Sequence, residues 1–271
     1  MSAPDPMTNA LRSNGVPLLS GVGLERHYGT RRALSTALHP SDLTIGREET
    51  VALVGESGSG KSTLVRQLLR LDDVASGRVE HAGRSVDDSP AALRDFRRRT
   101  GIVLQDPYSS LDPRMRVGRI VAEPLRGFGI DGDHRAIVRD ALVEVGLPGD
   151  AAERFPHEFS GGQRQRIAIA RAIAHGPDLL VGDEPLSALD VTVRARILAL
   201  LAELRRSHGM SMLIVSHDLG VVRRISDRVV VLSAGRIVEQ GPTEDVLGNP
   251  QHPETRRLVA AVPTLGPVPR D

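Results

Sequence analysis

The sequence predicts an α/β fold in which a largely parallel sheet is covered by helices on both faces. Two stretches carry that expectation. The apolar run TVALV, Thr50–Val54, opens directly into the glycine-rich GESGSGKST, and residues 63–71 beyond it have helical spacing. The alternation returns at residues 179–181, which precede Asp183. A helix over 191–207 then puts Val193, Ile197, Leu200, Leu201 and Leu204 on one face and stops at Gly209, and 212–215 is a further buried strand. Strands that alternate with helices in this way bind ligands at the carboxyl ends of the strands.

The remaining segments fit around that frame. Residues 1–17 are rich in Pro, Ser, Asn and Gly and read as a poorly ordered leader. Ordered structure is expected to begin near Leu18. The stretch from Gln105 to Ser160 is punctuated by Pro and Gly, is mainly helical and interrupts the strand pattern, which predicts an inserted helical lobe at about 106–165. Residues 229–232 and 236–239, joined across Ser-Ala-Gly, predict a terminal hairpin. Residues 241–271 form a C-terminal extension whose Pro-rich end, after Val262, is expected to fray.

Bulk properties exclude several function classes. At 271 residues and a net charge of +1 the chain can bury a sizeable core and has no strong field for nucleic acid or an anionic surface. It has no cysteine, so disulfides, thiolate catalysis and cysteine zinc sites are ruled out. No apolar run approaches the length of a membrane span, and the first residues lack a signal peptide's apolar centre, so a soluble chain on the cytoplasmic side is expected.

GESGSGKST contains the chain's single lysine, Lys61, against 34 arginines. A compact ammonium fits inside a small loop as a point charge, whereas a planar guanidinium fork needs more room and other acceptors. Gly55, Gly60, Lys61 and Ser62 satisfy G-x-x-x-x-G-K-[ST] between a predicted strand and a predicted helix, which is the context this phosphate-binding pattern requires. Glycines let successive N–H groups turn towards an anion, and the helix start adds positive potential. Lys61 then reaches the β- and γ-phosphates of a nucleotide, and the Ser62 hydroxyl serves Mg²⁺.

Three further constellations suit the same chemistry. Asp183 and Glu184 end a strand expected beside the loop, where adjacent residues point to opposite sides and can divide labour. Asp183 suits the Mg²⁺ shell, and Glu184 can orient or deprotonate an attacking water; a helix-start acid pair before Pro185 is the plainer alternative. His217, just after a strand at the same sheet edge, can bond a γ-phosphate. In FSGGQRQR, Ser160 and Gln163 make a capping box, and the glycines between them expose N–H groups to an anion.

Together these stretches resemble the nucleotide-binding subunit of an ABC transporter, with a P-loop NTPase (RecA-like) core, an antiparallel β subdomain and an inserted helical subdomain, over about residues 18–263. Gly55, Glu56, Ser57, Gly58, Ser59, Gly60, Lys61, Ser62 and Thr63 match Walker A, and Ser160, Gly161, Gly162 and Gln163 match the family signature. LLVGDEP matches Walker B, SALD with Asp190 the D-loop, and SHD with His217 the His switch. Gln105 matches the Q-loop glutamine, and Tyr28 the aromatic that stacks on adenine. QDPYSSLDPRM, SALDVTVRARIL and NPQHPETRRLVAAVP are similar to the oligopeptide/dipeptide/nickel importer subfamily, nearest its second ATPase.

The resemblance implies that two ATPase subunits, identical or paralogous, pair head to tail. Each ATP then lies between Walker A of one and the signature of the other. Glu184 is implied as general base and His217 as γ-phosphate ligand. Gln105 links Mg²⁺ to two permease subunits, and Asp190 communicates across the pair. An extracytoplasmic solute-binding protein is an indirect partner, and no nucleic acid is involved. The ATPase domain is expected over 18–240. A soluble ABC ATPase of an intracellular complex, such as one for phosphonate breakdown, is the competing reading, and a binding-only regulatory cassette is disfavoured by the presence of Glu184 and His217. Three positions depart from the family pattern: Glu48 replaces a usual glycine, Gly182 a larger aliphatic residue, and Glu254 the tyrosine of HPYTR.

Overall fold

A computed structural model describes residues 15–30, 33–74, 76–106, 110–187 and 189–261. Most of the leader, the tail from 262, residues 107–109 of QDPYSSLDPRM and Ala188 of SALD lie outside the described residues.

In chain order, the long strands β1 (Leu19–Thr30) and β2 (Ala33–Ile45) precede the first predicted strand, β3 (Thr50–Val54), and helix α1 (Lys61–Leu68). β4 (Ser76–His81), β5 (Arg84–Ser85), α2 (Pro90–Arg98) and β6 (Thr100–Val103) follow. The helical lobe contains α3 (Val117–Val121), α4 (Glu123–Phe128), α5 (His134–Glu144), two short 3₁₀ turns and α6 (Gly161–Ile173). The chain then returns through β7 (Leu179–Asp183), α7 (Val191–His208), β8 (Ser211–Val215), α8 (Leu219–Ile225), β9 (Arg228–Ser233), β10 (Arg236–Pro242), α9 (Thr243–Gly248) and α10 (Pro253–Ala260).

Among the described residues the strands form two sheets. One is antiparallel in the order β2-β1-β4-β5; the other runs β10-β9-β3-β8-β7-β6 and is parallel except for β10. β3 shows why the second sheet is covered on both faces. Val51 and Leu53 point into a core shared with Leu19, Leu24 and Leu38 of the antiparallel sheet, while Ala52 and Val54 point to Val229, Val231, Val246 and Leu247. A third core, with Ile120, Leu142, Ile167 and Ile197, knits the helical lobe to α7.

Boundaries moved where local backbone geometry overrides periodicity. The helix expected at 63–71 begins at Lys61 and ends at Leu68, because Gly60 starts it from a left-handed conformation and Arg70 turns out of it at φ 52°. α6 runs unbroken from Gly161 to Ile173, carrying the end of the helical lobe towards β7. The predicted hairpin is present, its turn made by Ala234 and Gly235, both at positive φ.

Glu48 holds φ 54°, the left-handed region a glycine would occupy without strain. Its carbonyl accepts from Arg205 Nε at 3.0 Å, which fixes the turn before β3. A side chain at this position therefore costs backbone energy, and the Arg205 bond, made to the backbone carbonyl, is open to glycine as well. Glu48→Gly is expected to stabilise the fold by about 1 kcal/mol, seen as a higher urea midpoint at unchanged slope; an unchanged or lower midpoint would count against strain at this turn.

Candidate functional site

Strand register assembles the site. Leu53 and Asp183 both pair with Val215, and Val103 pairs with Gly182, so β3, β8, β7 and β6 end at one level. The segments leaving those ends carry the glycine loop, His217, Asp183 with Glu184, and Gln105. They enclose a cavity of about 500 Å³ lined by Gly58, Lys61, Ser62, Gln105, Glu184 and His217 among others. Gly55, Ser57, Gly60, Thr63 and Asp183 also face it.

The loop is gripped from two sides. A Cβ on Gly55 would lie 2.1 Å from the Leu232 carbonyl oxygen, and one on Gly60, at φ 103°, 2.7 Å from that of Ala37. Glycine is required at both positions because backbone occupies the space. Gly60 opens α1, whose first turn leaves N–H groups available to an anion. Lys61 is buried and folds back on the loop, its Nζ donating to the carbonyls of Gly55 at 2.7 Å and Glu56 at 2.8 Å. Burial lowers its pKa, and the carboxylates of Glu184 and Asp183 oppose that shift.

Glu184 is held by both oxygens. Gln105 Nε2 donates to Oε2 at 3.1 Å, and His217 Nδ1 lies 3.0 Å from Oε1. Its φ of 47° corrects the expectation that Asp183 and Glu184 point apart. Strand alternation ends at Asp183, and the left-handed residue that follows turns its side chain into the same cavity. Such a conformation costs of order 1–3 kcal/mol and persists where the surroundings impose it; the Glu184 N–H bond to the Val215 carbonyl at 3.0 Å is part of that imposition. Asp183 is half-buried, and its pKa is pushed up first by burial and then by Glu184, with Lys61 opposing. Gly182 leaves no void, since a Cβ there would sit 2.8 Å from Pro185 Cγ and 3.2 Å from Ile214 Cδ1.

Among the described residues no cluster of three or more His, Asp or Glu side chains could cage a metal. A hard cation such as Mg²⁺ needs only one or two carboxylates when phosphate and water complete its shell. The Ser62 hydroxyl and Asp183 carboxylate share the cavity and fit that donor set. Burial and then the Glu184 carboxylate push the Asp183 pKa up, a shift that a cation beside the carboxylate would oppose.

Several predicted residues stand outside the cavity. Tyr28 is 44% exposed on β1, with the Arg26 guanidinium 5.2 Å from its ring centre. Glu56 faces solvent, and Ser59 is buried beneath the loop. Ser160, Gly161, Gly162 and Gln163 start α6, where the predicted capping box is present: the Ser160 hydroxyl accepts from Gln163 N–H at 3.4 Å, and the Gln163 side-chain Oε1 accepts from Ser160 N–H at 3.0 Å. Asp190 caps α7, accepting from Val193 N–H at 2.9 Å.

Sequence reasoning missed Ala37 and Val215, which also line the cavity, and Gly235, whose N–H donates to the Ser59 carbonyl at 2.8 Å. The Ser-Ala-Gly turn signalled a hairpin, but nothing local said that the hairpin buttresses the loop.

A family model described as ABC transporter matches residues 38–187. A protein of Brucella ovis named as a peptide import ATP-binding protein is 48% identical over 93% of this chain and 80% of its own length. The glutathione import ATP-binding protein GsiA of Escherichia coli O157:H7 is 51% identical over 81% of this chain, which spans 36% of that protein. Among solved structures, cbiO1 of Clostridium perfringens, part of the ABC transporter complex cbiONQ, aligns with a TM-score of 0.76 at 28% identity, covering 86% of this chain and 91% of that one. The ATP-binding cassette MJ0796, a dimer bound to ADP and Pi after hydrolysis, aligns at 0.74 with 29% identity, covering 83% and 98%.

The Asp183 shift has a thermodynamic consequence. A folded carboxyl with a raised pKa holds its proton more tightly than the unfolded chain, so its cost is absent below the ordinary carboxylate pKa and grows as pH rises through the folded value. Asp183→Asn should therefore melt higher than the parent at pH 8 without nucleotide, and the gap should close towards pH 4. A gap that does not change with pH would contradict the assignment.

Proposed function

Because the chain belongs to the ABC transporter family, we propose that it is the ATP-hydrolysing subunit that powers import of a peptide-like or metal-chelate solute through two separate permease subunits, from the cytoplasmic face of the membrane. The observation that carries the catalytic part is Glu184, fixed on both oxygens by Gln105 and His217 across a cavity from Lys61. The names of the relatives, import proteins for peptide and glutathione, favour transport over the soluble-complex reading. Among the described residues no helix is long and apolar enough to cross a membrane, so the spanning path is assigned to the permeases.

In this reading the loop from Gly55 to Thr63 receives the phosphates on its N–H groups. Lys61 exchanges its two loop carbonyls for β- and γ-phosphate oxygens; a compact ammonium with three donors suits such an exchange, whereas a planar guanidinium fork needs more room and other acceptor geometry. Glu184 takes the proton of the attacking water, His217 donates to the γ-phosphate, and Gln105 holds Glu184 in line. Ser62 and Asp183 would hold Mg²⁺, which when bound neutralises charge on the transferring phosphoryl group. Tyr28 stacks on the adenine.

Ser160, Gly161, Gly162 and Gln163 do not reach this cavity within one chain, which supports their service to the nucleotide of a second ATPase subunit, identical or paralogous, with Asp190 at the junction. An apolar groove of about 390 Å³ between core and helical lobe, lined by Leu69, Leu71, Phe96, Ile102, Pro124 and Phe128, supports docking of a permease cytoplasmic helix. The solute-binding protein outside the membrane would touch the permeases and not this chain. We assign residues 18–240 to the ATPase domain, with the helical subdomain at about 106–165, and 241–271 to the extension. The extension is anchored by Glu239, whose carboxylate accepts from the N–H groups of Gln251 and His252, both at 2.9 Å.

With permeases in vesicles, ATP should drive peptide uptake, and Glu184→Gln should lower steady-state turnover about a hundredfold or more while nucleotide still binds. Turnover near the parent value would remove Glu184 as the base, and recovery of the chain only in a soluble complex would remove the transport role. Lys61→Arg should lose ATP affinity by calorimetry despite its retained charge; unchanged binding would refute the point-charge account of the loop.

A further inference from the structure

The first turn of α7 touches three parts of the proposed machinery at once. Asp190 caps it. Gly162 of the Ser160–Gln163 turn lies against it so closely that a Cβ there would be 2.5 Å from Val193 Cγ1. The next residue, Arg194, reaches two loops. Its Nη1 donates to Asp218 Oδ2 at 2.5 Å, and its Nη2 donates to the Leu189 carbonyl at 3.3 Å, one residue before Asp190.

Asp218 directly follows His217. Its second oxygen, Oδ1, accepts from Val221 N–H at 3.1 Å and caps α8, while its own N–H donates to Ser216 Oγ at 3.0 Å. The loop that carries His217 is thus anchored to α8 behind and to Arg194 beside it, and His217 in turn holds Glu184.

We propose that Arg194 is a positioning residue for ATP hydrolysis, its guanidinium tying the Leu189–Asp190 turn to the His217 loop, so that a second subunit's hold on that turn sets His217 and Glu184. This rests on the reading of the chain as a paired ATPase. A planar guanidinium presents two Nη groups at fixed spacing and can serve carboxylate and carbonyl together. An ammonium in the same place can keep the carboxylate and lose the carbonyl. Arg194 touches neither the cavity nor a reacting atom, so its effect must fall on turnover and leave nucleotide binding to the glycine loop intact.

The test is steady-state ATP turnover of the full chain assembled with its partner subunits, for Arg194→Gln, Arg194→Lys, Asp218→Asn and the Arg194→Gln/Asp218→Asn pair. Arg194→Gln should lower kcat about tenfold with KM within about twofold, Arg194→Lys should fall between it and the parent, and the pair should be no slower than the slower single variant. The proposal is overturned if Arg194→Gln keeps kcat within twofold, if the two single effects multiply, or if kcat and ATP affinity fall together with the melting temperature. Should Arg194→Gln not fold, Asp218→Asn and Arg194→Lys decide on the same criteria. The parent and Glu184→Gln, run in parallel, separate the failures: a parent without ATP turnover would remove the ATPase reading and a Glu184→Gln that turns over like the parent would remove Glu184 as the base, whereas an inactive Glu184→Gln beside a normal Arg194→Gln sinks only this inference.

Discussion

The glycine loop is clamped between backbone carbonyls of different elements, and the rest of the site depends on that grip. Gly55 presses on Leu232 of β9, and Gly60 presses on Ala37 of β2, so the loop bridges the parallel and antiparallel sheets. Two sheets that each bury one face against Leu19, Leu24, Leu38, Val51 and Leu53 cannot shift without moving the loop. The interior is close-packed, so a contact of this kind transmits displacement instead of absorbing it. The cradle shape of the glycine loop is therefore a rigid consequence of the fold.

Opposite the cradle the design is different. Glu184 leaves the strand in a left-handed conformation and is held by side chains from two other strand ends, Gln105 after β6 and His217 after β8. Each holder sits on a segment just beyond the end of its strand. One flank of the cavity is set by backbone packing and the other by side-chain tethers.

Much of this was legible in the sequence because the informative features are local. TVALV, the glycine loop, the Asp183–Glu184 pair and the Ser160–Gln163 capping box are each read within a few residues, and each is found with nearly the predicted bounds. β1 and β2 were not legible as strands. Their pairing shifts register between Gly21 and Leu24 and twice more before His27, so apolar residues such as Leu19 and Leu24 lose the alternation that marks a half-buried strand. The turn of Glu184 into the cavity was misread for a related reason, since a single positive φ breaks period-two reasoning and leaves no compositional mark. Gly235 and Arg194 act through contacts that close only in three dimensions, the second across 24 residues.

The solitary Lys61 has a consequence for covalent chemistry. With the other 34 of its 35 lysine and arginine side chains all guanidinium, the chain carries one side-chain amine, and that amine lies buried in the glycine loop with a lowered pKa. Acylation of lysine side chains, whether by a cellular modifying enzyme or by a reactive metabolite, has nowhere else to act on this protein. A modification that is spread over many harmless surface positions in most proteins becomes here an event in the glycine loop alone, so lysine-directed chemistry on the chain and the packing of that loop are governed by the same atom.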